Sequence, residues 1–237
     1  MYDPYQIQHL EKKRKRKRYY QVAKTVLWLS KPLMLVALPF FLLIRGSIFF
    51  YQYTELHTYL SFVLAFAATL FVLVFYVSFI YRKVLGRKFI TLKEFKWKVG
   101  VTSVVLLGYC VFAFFSFSSK HTKHTEIQEE YTSLHPFLRL GARTLLFLDK
   151  DLLITDAKRF PEDYKKMGLP TKKNSLHYIQ QTGYAHAMDI RVNGRSFFRN
   201  WLVAIYFRLL GFNVLRHVGT ADHLHISLSL PELPYRI

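Results

Sequence analysis

The sequence has one cysteine and few acidic residues; the first excludes disulfides and the second indicates the charge of its partners. Cys110 is the only cysteine among 237 residues, and it lies within an apolar segment. Disulfides in the more polar part of the chain are therefore excluded, so packing or a bound metal must stabilise that part. Asp and Glu together number 15 against 34 Lys and Arg, which gives a net charge of +19. Such a basic chain fits partners that carry negative charge, for example membrane surfaces or anionic polymers.

Three long apolar segments occupy the first half of the chain, and each is predicted to be a transmembrane helix. They lie at about 26–51, 58–81 and 99–118. The second segment carries no charged side chain, and as a helix it is long enough to cross about 30 Å of hydrocarbon. The first contains two prolines as well as Lys31 and Arg45, so an interfacial or re-entrant segment is the alternative there. No carboxylate in these segments marks an ion path, which argues against a channel or transporter.

The placement of basic residues predicts how these segments are oriented. Lys12–Arg18 reads KKRKRKR, and the loop at 82–98 carries seven Lys or Arg with one Glu. The loop near 52–57 has neither Lys nor Arg. By the positive-inside rule, the N-terminus (1–25) and the second loop are cytoplasmic, and the part after 118 lies outside. KKRKRKR is also the composition of a nucleic-acid patch or nuclear signal, but beside an apolar run it favours topology, and no nucleic-acid partner is expected.

Residues 119–237 have the pattern of a small α+β domain with a mostly antiparallel sheet, which follows the α-helical membrane region. Apolar residues recur at helical spacing from Glu126 to about Phe147, which predicts one or two helices. The later predicted elements are a short buried strand at Leu152–Asp156, a helix at Pro161–Lys166, a strand at Ala187–Val192, a helix at Ser196–Leu210, and strands at Asn213–His217 and His223–Ser229. Because strand side chains alternate, His223 and His225 share one face of the last strand, and beside Asp222 they suit a metal site.

A set of residues in the last third of the chain occurs in a distinctive order. The set comprises Ser175-Leu176-His177-Tyr178, Gly183, Ala185, Asp189-Ile190, a helix followed by Gly211-Phe212, and His223-Leu224-His225. This order resembles the zinc DD-peptidases, a superfamily that includes D-Ala-D-Ala carboxypeptidases, peptidoglycan endopeptidases and the hedgehog signalling domain. Its pattern is Ser-x-His-x-x-Gly-x-Ala-x-Asp, joined later by Glu-x-x-His or His-x-His. The resemblance covers residues 150–230 approximately and leaves the membrane half unexplained.

The resemblance implies a role for each residue that matches. The implied metal ligands are His177, Asp189 and His225, with Zn²⁺ as the cofactor. Asp222 would occupy the general-base position, and His223 would match the extra histidine of the His-x-His subgroup. Arg159 would steady the substrate and the developing oxyanion, and Ser175 would be the family's serine near the first ligand. In such a site, zinc-activated water attacks the peptide carbonyl while a nearby carboxylate accepts the proton.

Two features depart from the family's pattern. Seven positions separate the first His from the Asp in the family, whereas His177 and Asp189 are twelve positions apart. The extra residues, near 179–182 and at His186, either form a loop that leaves the ligands in place, make His186 the ligand instead of His177, or abolish the site. Asp222 also stands where family members usually have Glu, which shortens the implied base by one methylene.

These features predict a membrane-anchored zinc peptidase of the DD-peptidase type on the outer side of a bacterial cytoplasmic membrane. The N-terminus would be cytoplasmic and the C-terminal domain periplasmic or extracellular, where peptidoglycan stem peptides would be the substrate. Both carboxypeptidase and endopeptidase activity fit this prediction. The alternative is a catalytically inactive peptidase-like domain that binds the wall or forms a structural part of a membrane envelope complex, with partners held through the transmembrane helices.

Overall fold

The computed structural model describes most of the chain and divides it into two compact units. The described residues are 4–86, 91–115, 121–122, 130–166, 168, 170, 174–219 and 222–230. The first unit is Met1–Phe40 and the second is Phe41–Ile237. Helix α1, Pro4–Tyr53, supplies the described residues of the first unit, and the basic run Lys12–Arg18 is exposed along it.

The second unit combines further helices with a small sheet. Its remaining helices are α2 (Thr58–Leu85), α3 (Leu92–Phe115), α4 (Pro136–Leu148), α5 (Pro161–Lys166) and α6 (Phe197–Leu210). Its strands are β1 (Ile154–Asp156), β2 (Ala187–Arg191), β3 (Asn213–His217) and β4 (His223–Ser227). The predicted antiparallel sheet is confirmed. The helix predicted from Glu126 includes α4, but residues 123–129 lie outside the described part of the chain.

Two of the helices are long and apolar enough to cross a membrane. The candidate spans are Thr58–Phe79 and Leu92–Phe115, which correspond to the second and third predicted segments. Among the described residues, the first predicted segment, 26–51, is helical but does not form a third candidate span. Charged residues and prolines interrupt its apolar run, so three transmembrane helices are not shown and the first one stays a prediction.

The sheet separates an apolar face from a polar face. Its strand order is β1–β2–β4–β3, and all neighbouring strands are antiparallel. Met188, Ile190 and Ile226 point to one face, where they are buried in a single core with apolar residues of α4 and α6. Since side chains alternate along a strand, Asp189 and His225 point to the opposite face. The helices therefore support the sheet from behind and leave the polar face available for a site.

The candidate spans pack directly on the helix layer that supports the sheet. Arg139 of α4 donates a hydrogen bond from Nη2 to the carbonyl of Phe114 in α3 at 2.7 Å. The hydroxyls of Tyr109 in α3 and Thr144 in α4 are also hydrogen-bonded to each other. Ile48 of α1 belongs to the same buried core as the sheet. Residues before and after the predicted domain boundary at 119 thus contribute to one core.

His135 connects the start of α2 to the start of α4. Its ring is fully buried, and Nδ1 accepts a hydrogen bond from the Phe137 N–H at 3.3 Å, which caps α4. Nε2 therefore carries the proton and donates to Thr58 Oγ1 at 3.0 Å. Burial and the nearby His186 and His57 hold the pKa of His135 well below its usual value, so the ring is neutral at pH 7. A neutral imidazole with both nitrogens hydrogen-bonded fixes this junction.

Helix α6 begins and ends at residues suited to those positions. Ser196 is its N-cap, since Oγ accepts a hydrogen bond from the Arg199 N–H at 3.3 Å. Gly211 ends the helix with a left-handed φ of 101°, and the next residue, Phe212, donates from its N–H to the Phe207 carbonyl at 3.0 Å. A Cβ at Gly211 would meet the Arg45 guanidinium and the Ile48 side chain. Close packing and backbone conformation both favour glycine here.

We predict that Gly211→Ala destabilises the full-length chain more than Gly194→Ala does. Gly194 also has a left-handed φ, of 80°, but a Cβ there meets nothing within 4 Å. Gly194→Ala should therefore cost about 1–2 kcal/mol from backbone strain alone. Gly211→Ala should cost more than this, because its Cβ would also lie 3.2 Å from Ile48 Cγ2, whereas the Arg45 guanidinium can move aside. Thermal unfolding in detergent measures both free-energy changes, and equal changes would show that the Gly211 contact has no energetic role.

Candidate metal centre

Cross-strand pairing brings two of the candidate ligands together. Asp189 of β2 and His225 of β4 are register partners, so their side chains lie side by side on the polar face of the sheet. His225 Nδ1 lies 2.9 Å from Asp189 Oδ1. The Asp189 side chain is almost fully buried, whereas His225 is partly exposed. The pair therefore sits at the boundary between the sheet and the solvent.

A loop before β2 supplies the third candidate ligand. The Ser175 hydroxyl accepts a hydrogen bond from the His177 N–H at 3.3 Å and is itself hydrogen-bonded to the Tyr164 hydroxyl at 2.7 Å. His177 Nδ1 donates to the carbonyl of Ala157 at 2.7 Å. This bond fixes the tautomer, so the lone pair on Nε2 points toward Asp189. Ser175 thus positions the ligand loop, which gives a physical reason for a serine at this point.

The donor atoms of the three side chains are separated by distances that suit a tetrahedrally coordinated metal ion. The distances are 2.9 Å from His225 Nδ1 to Asp189 Oδ1, 3.3 Å from His177 Nε2 to His225 Nδ1, and 3.4 Å from His177 Nε2 to Asp189 Oδ1. Ligand atoms held about 2.0–2.1 Å from a tetrahedral ion lie roughly 3.3 Å from one another. These atoms form a cluster that can hold a metal ion. The donor set of two imidazoles and one carboxylate also leaves a fourth coordination position open.

Arg159 holds the carboxylate ligand in place. Its Nη2 donates to Asp189 Oδ2 at 2.6 Å, and its Nε donates to Asp156 Oδ2 at 2.8 Å. Its backbone N–H also donates to the carbonyl of His177 at 3.0 Å. Burial alone would raise the pKa of Asp189, but the neighbouring histidines and Arg159 hold it well below its usual value. Asp189 is therefore ionised, with Oδ1 directed to the cluster and Oδ2 to the guanidinium.

Asp156 is a second carboxylate at this site, and its side chain is partly buried. It ends β1, beside Asp189, and its Oδ1 is buried without a hydrogen-bond partner, 3.8 Å from His177 Nδ1. Burial raises the pKa of Asp156, although Arg159 opposes this effect. One buried and one partly buried carboxylate share a single guanidinium, so a divalent cation beside them would meet favourable negative charge. In the sequence, the signal that could have identified Asp156 as a site residue is its position three residues before Arg159.

A cleft of ≈ 470 Å³ opens beside the three candidate ligands. Its other polar lining includes Asn174, Ser175, His217 and His223. His223 Nε2 lies 3.7 Å from Asp189 Oδ2, and the ring of His223 lies against that of His217, with centroids 4.9 Å apart. Two imidazoles thus stand on the solvent side of the cluster. The cleft is large enough to admit part of an extended peptide.

The structure places Asp222 away from the cluster. Arg216 donates to both of its carboxylate oxygens, from Nε at 3.1 Å and from Nη2 at 2.6 Å. Hydrogen bonding to Arg216 lowers the pKa of Asp222. Asp222 precedes β4 by one residue, so alternation directs it away from the face that carries His223. Asp222 is not among the described residues that line the cleft.

The extra residues between His177 and Asp189 form a turn. Gly183, with a left-handed φ of 80°, donates from its N–H to the Gln180 carbonyl at 2.9 Å. Gln180 in turn donates from its N–H to the Tyr184 carbonyl at 2.9 Å. The chain therefore leaves the ligand loop and returns before β2 begins. Of the alternatives raised by the spacing, the structure shows the loop that leaves His177 and Asp189 together.

His186, the alternative first ligand, lies elsewhere. Its ring is fully buried, with Nδ1 against the carbonyl of Leu228 at 3.3 Å and Nε2 against the hydroxyl of Thr182 at 2.8 Å. Its ring centroid is 4.7 Å from that of His135. Burial lowers the pKa of His186 to about 4. His186 is a neutral packing residue and is not part of the cluster that can hold an ion.

Comparison with known proteins adds nothing to this geometry. No family model, no curated protein and no solved structure matches the chain.

We predict that His186 makes the folded chain less stable as the pH falls. The unfolded residue takes up a proton near pH 6.5, whereas the folded one does so only near its pKa of about 4. Stability should therefore fall between these values, by roughly 2 kcal/mol from this residue at pH 5. His186→Gln should flatten the plot of unfolding temperature against pH, measured for the full-length chain in detergent. The exposed His57→Gln is the matched control, and a slope that is unchanged in His186→Gln would contradict the prediction.

Proposed function

We propose that this chain is a membrane-anchored, zinc-dependent peptidase that acts on peptidoglycan stem peptides. The observation that carries the proposal is the spacing of three ligand atoms on His177, Asp189 and His225, at 2.9–3.4 Å from one another. The resemblance to zinc DD-peptidases supports D-Ala-D-Ala carboxypeptidase or endopeptidase chemistry. An enclosed cluster beside an open cleft is the arrangement such chemistry needs.

Zinc suits this donor set better than the harder divalent ions. Two imidazole nitrogens and one carboxylate oxygen are a common protein ligand set for catalytic zinc, whereas magnesium and calcium prefer oxygen ligands throughout. When bound, zinc lowers the pKa of water and polarises a carbonyl oxygen. His177 is oriented for such a role by Ala157, and Asp189 by Arg159. Positioning of ligands by a second set of hydrogen bonds is typical of functional metal sites.

We assign the proton-accepting role to His223 instead of Asp222. Asp222 is held by two hydrogen bonds from Arg216, and its side chain is directed away from the ligand face. His223 lies on that face and lines the cleft, so Nε2 can take a proton and return it to the leaving amine. Arg159 is assigned to positioning, because its Nε and Nη2 are already bound to Asp156 and Asp189.

The proposed location is the outer side of a bacterial cytoplasmic membrane. Two candidate spans support anchoring, and the first predicted segment would add a third. The basic run at 12–18 and the basic loop at 82–98 favour a cytoplasmic N-terminus. The domain after α3 would then face the compartment that contains peptidoglycan. Its excess of Lys and Arg suits an anionic polymer.

One observation favours the second candidate, an inactive peptidase-like domain that binds the wall or serves an envelope complex. The carboxylate at the family's general-base position, Asp222, is paired with Arg216 and so is not available to the cleft. In that case the cleft would bind stem peptides without cleaving them. Metal content and hydrolysis, measured separately, distinguish the two candidates.

We predict that the full-length chain, purified in detergent, contains about one zinc per molecule. His177→Ala and His225→Ala should lose the metal, because each removes one of the three donors. His186→Gln should retain it, since His186 is outside the cluster. Elemental analysis measures the content, and circular dichroism shows whether each variant is folded. Retention of zinc in a folded His177→Ala variant would contradict the assignment.

We predict that the zinc-loaded chain releases D-Ala from a pentapeptide stem ending in D-Ala-D-Ala, or cleaves a cross-linked stem. His223→Ala should lower kcat by about 10²–10⁴-fold while zinc content is unchanged, as expected for loss of a general base. Asp222→Asn is the matched control and should lower kcat less than tenfold, roughly the loss of one exposed ion pair. A larger loss in Asp222→Asn than in His223→Ala would make Asp222 the base. Zinc binding without hydrolysis would favour the inactive binding domain.

A further inference from the structure

Helix α6 is apolar on both of its sides. One side is buried against the sheet and α4, and it carries Asn200, Val203, Ala204, Phe207 and Leu210. The other side is exposed and carries Phe197, Phe198, Trp201, Leu202 and Leu209. These five large side chains are between 45% and 75% exposed. A helix at the surface of a soluble protein normally presents polar residues on its outer side.

The only charged residues on the exposed side of α6 are basic. Arg199 and Arg208 lie there, and no acidic residue occurs in the helix. Arg199 is ion-paired with Asp149 and Asp151, which follow α4, so Arg208 carries the uncompensated positive charge. Tryptophan and arginine are the residues that favour the boundary between lipid headgroups and acyl chains. An exposed apolar stripe flanked by arginines is typical of a helix that lies in the surface of a membrane.

The exposed apolar side continues from α6 to the candidate span α3. The end of α4 carries Phe147 and Leu148, which are 67% and 72% exposed. The Phe147 ring packs against Phe112 of α3, with centroids 6.1 Å apart. Asp149, which follows Leu148, accepts a hydrogen bond from Arg199 of α6 at 2.6 Å. The end of α4 thus connects the start of α6 to the exposed surface of α3.

Helix α4 also lies beside the C-terminal part of α3. Arg139 of α4 contacts Phe114 near the C-terminal end of α3, whereas Thr144 contacts Tyr109. Helix α4 therefore runs antiparallel to α3 and begins beside its C-terminal end. The two α3 contacts are five residues apart, which corresponds to about 7.5 Å along a helix. The end of α4 therefore lies beside a part of α3 that belongs to its candidate span. An apolar surface at that level would face lipid.

We propose that the exposed side of α6, together with the end of α4, binds the outer leaflet of the bilayer that α2 and α3 cross. This inference rests on the membrane anchoring in the proposed function and adds a second, peripheral contact with lipid. Its occupant is phospholipid: Phe197, Trp201 and Leu209 contact acyl chains, while Arg208 contacts phosphates. The ligand face of the sheet is opposite to this helix layer, so the cleft opens away from the lipid.

Tryptophan quenching in reconstituted vesicles tests the proposal with the full-length chain. The sequence contains three tryptophans, Trp28, Trp97 and Trp201, so conservative Phe substitutions leave one at a time. The vesicles contain phosphatidylcholine and phosphatidylglycerol, brominated near the carbonyl end of the acyl chain. The Trp201-only chain should lose about half of its emission, because an interfacial helix lies 5–10 Å into the lipid.

Two further single-tryptophan variants serve as controls. The Trp97-only chain reports insertion of α3, and a chain whose only tryptophan comes from Val218→Trp reports the exposed end of β3 near the cleft. We expect quenching of Trp97 and none at position 218. Quenching of Trp97 without Trp201 would overturn the inference and leave the membrane anchor intact. Absence of quenching at both would overturn the anchor as well.

Iodide added to the aqueous phase identifies what covers Trp201 if lipid does not. Under the proposal, Trp201 is protected from iodide and quenched by brominated lipid. Protection from iodide without lipid quenching would indicate a protein partner or a second copy of the chain. Access to iodide would show that the face lies in water. Both of these results would overturn the proposal.

Discussion

The pairing of Asp189 with His225 across β2 and β4 is the constraint on which the site depends. The register that places these two side chains together also buries Met188 and Ile226 in the core behind them. A slip of one residue would move the candidate ligands into the apolar core and the core residues into solvent. Packing of the core therefore maintains the geometry of the site. The stability of the fold and the placement of the ligands have the same physical origin.

Arg159 links this pairing to the rest of the domain. It reaches Asp189 and Asp156 with its side chain and the loop carrying His177 with its backbone, so one residue aligns two strands and a loop. A guanidinium is suited to this because its donors are fixed in one plane and its charge is permanent. Its single charge is shared between the buried Asp189 and the partly buried Asp156. The remaining negative charge, together with two oriented imidazoles, explains why a cation would be stable at this position.

Local patterns predicted much of this structure, because they depend on neighbouring residues. The helix Pro161–Lys166 and the strand Asn213–His217 follow from capping and alternation, and both are confirmed. Alternation also contained the information that Asp222 faces away from His223, although the family resemblance suggested otherwise. The hydrogen bond between His135 and Thr58 and the packing of α3 on α4 involve residues far apart in sequence. Such contacts carry no local signal, so a single sequence does not reveal them.

The direct packing of α3 on α4 has a mechanical consequence. The cleft is joined to the candidate span through buried side chains and a hydrogen bond from Arg139 to Phe114, so these contacts oppose movement of the domain relative to the span. Under the proposed function, an enzyme built this way works at one height above the membrane. It would act on the innermost strands of a mesh and leave outer layers untouched. Its turnover would then follow the spacing between the bilayer and the polymer more closely than the polymer's total amount.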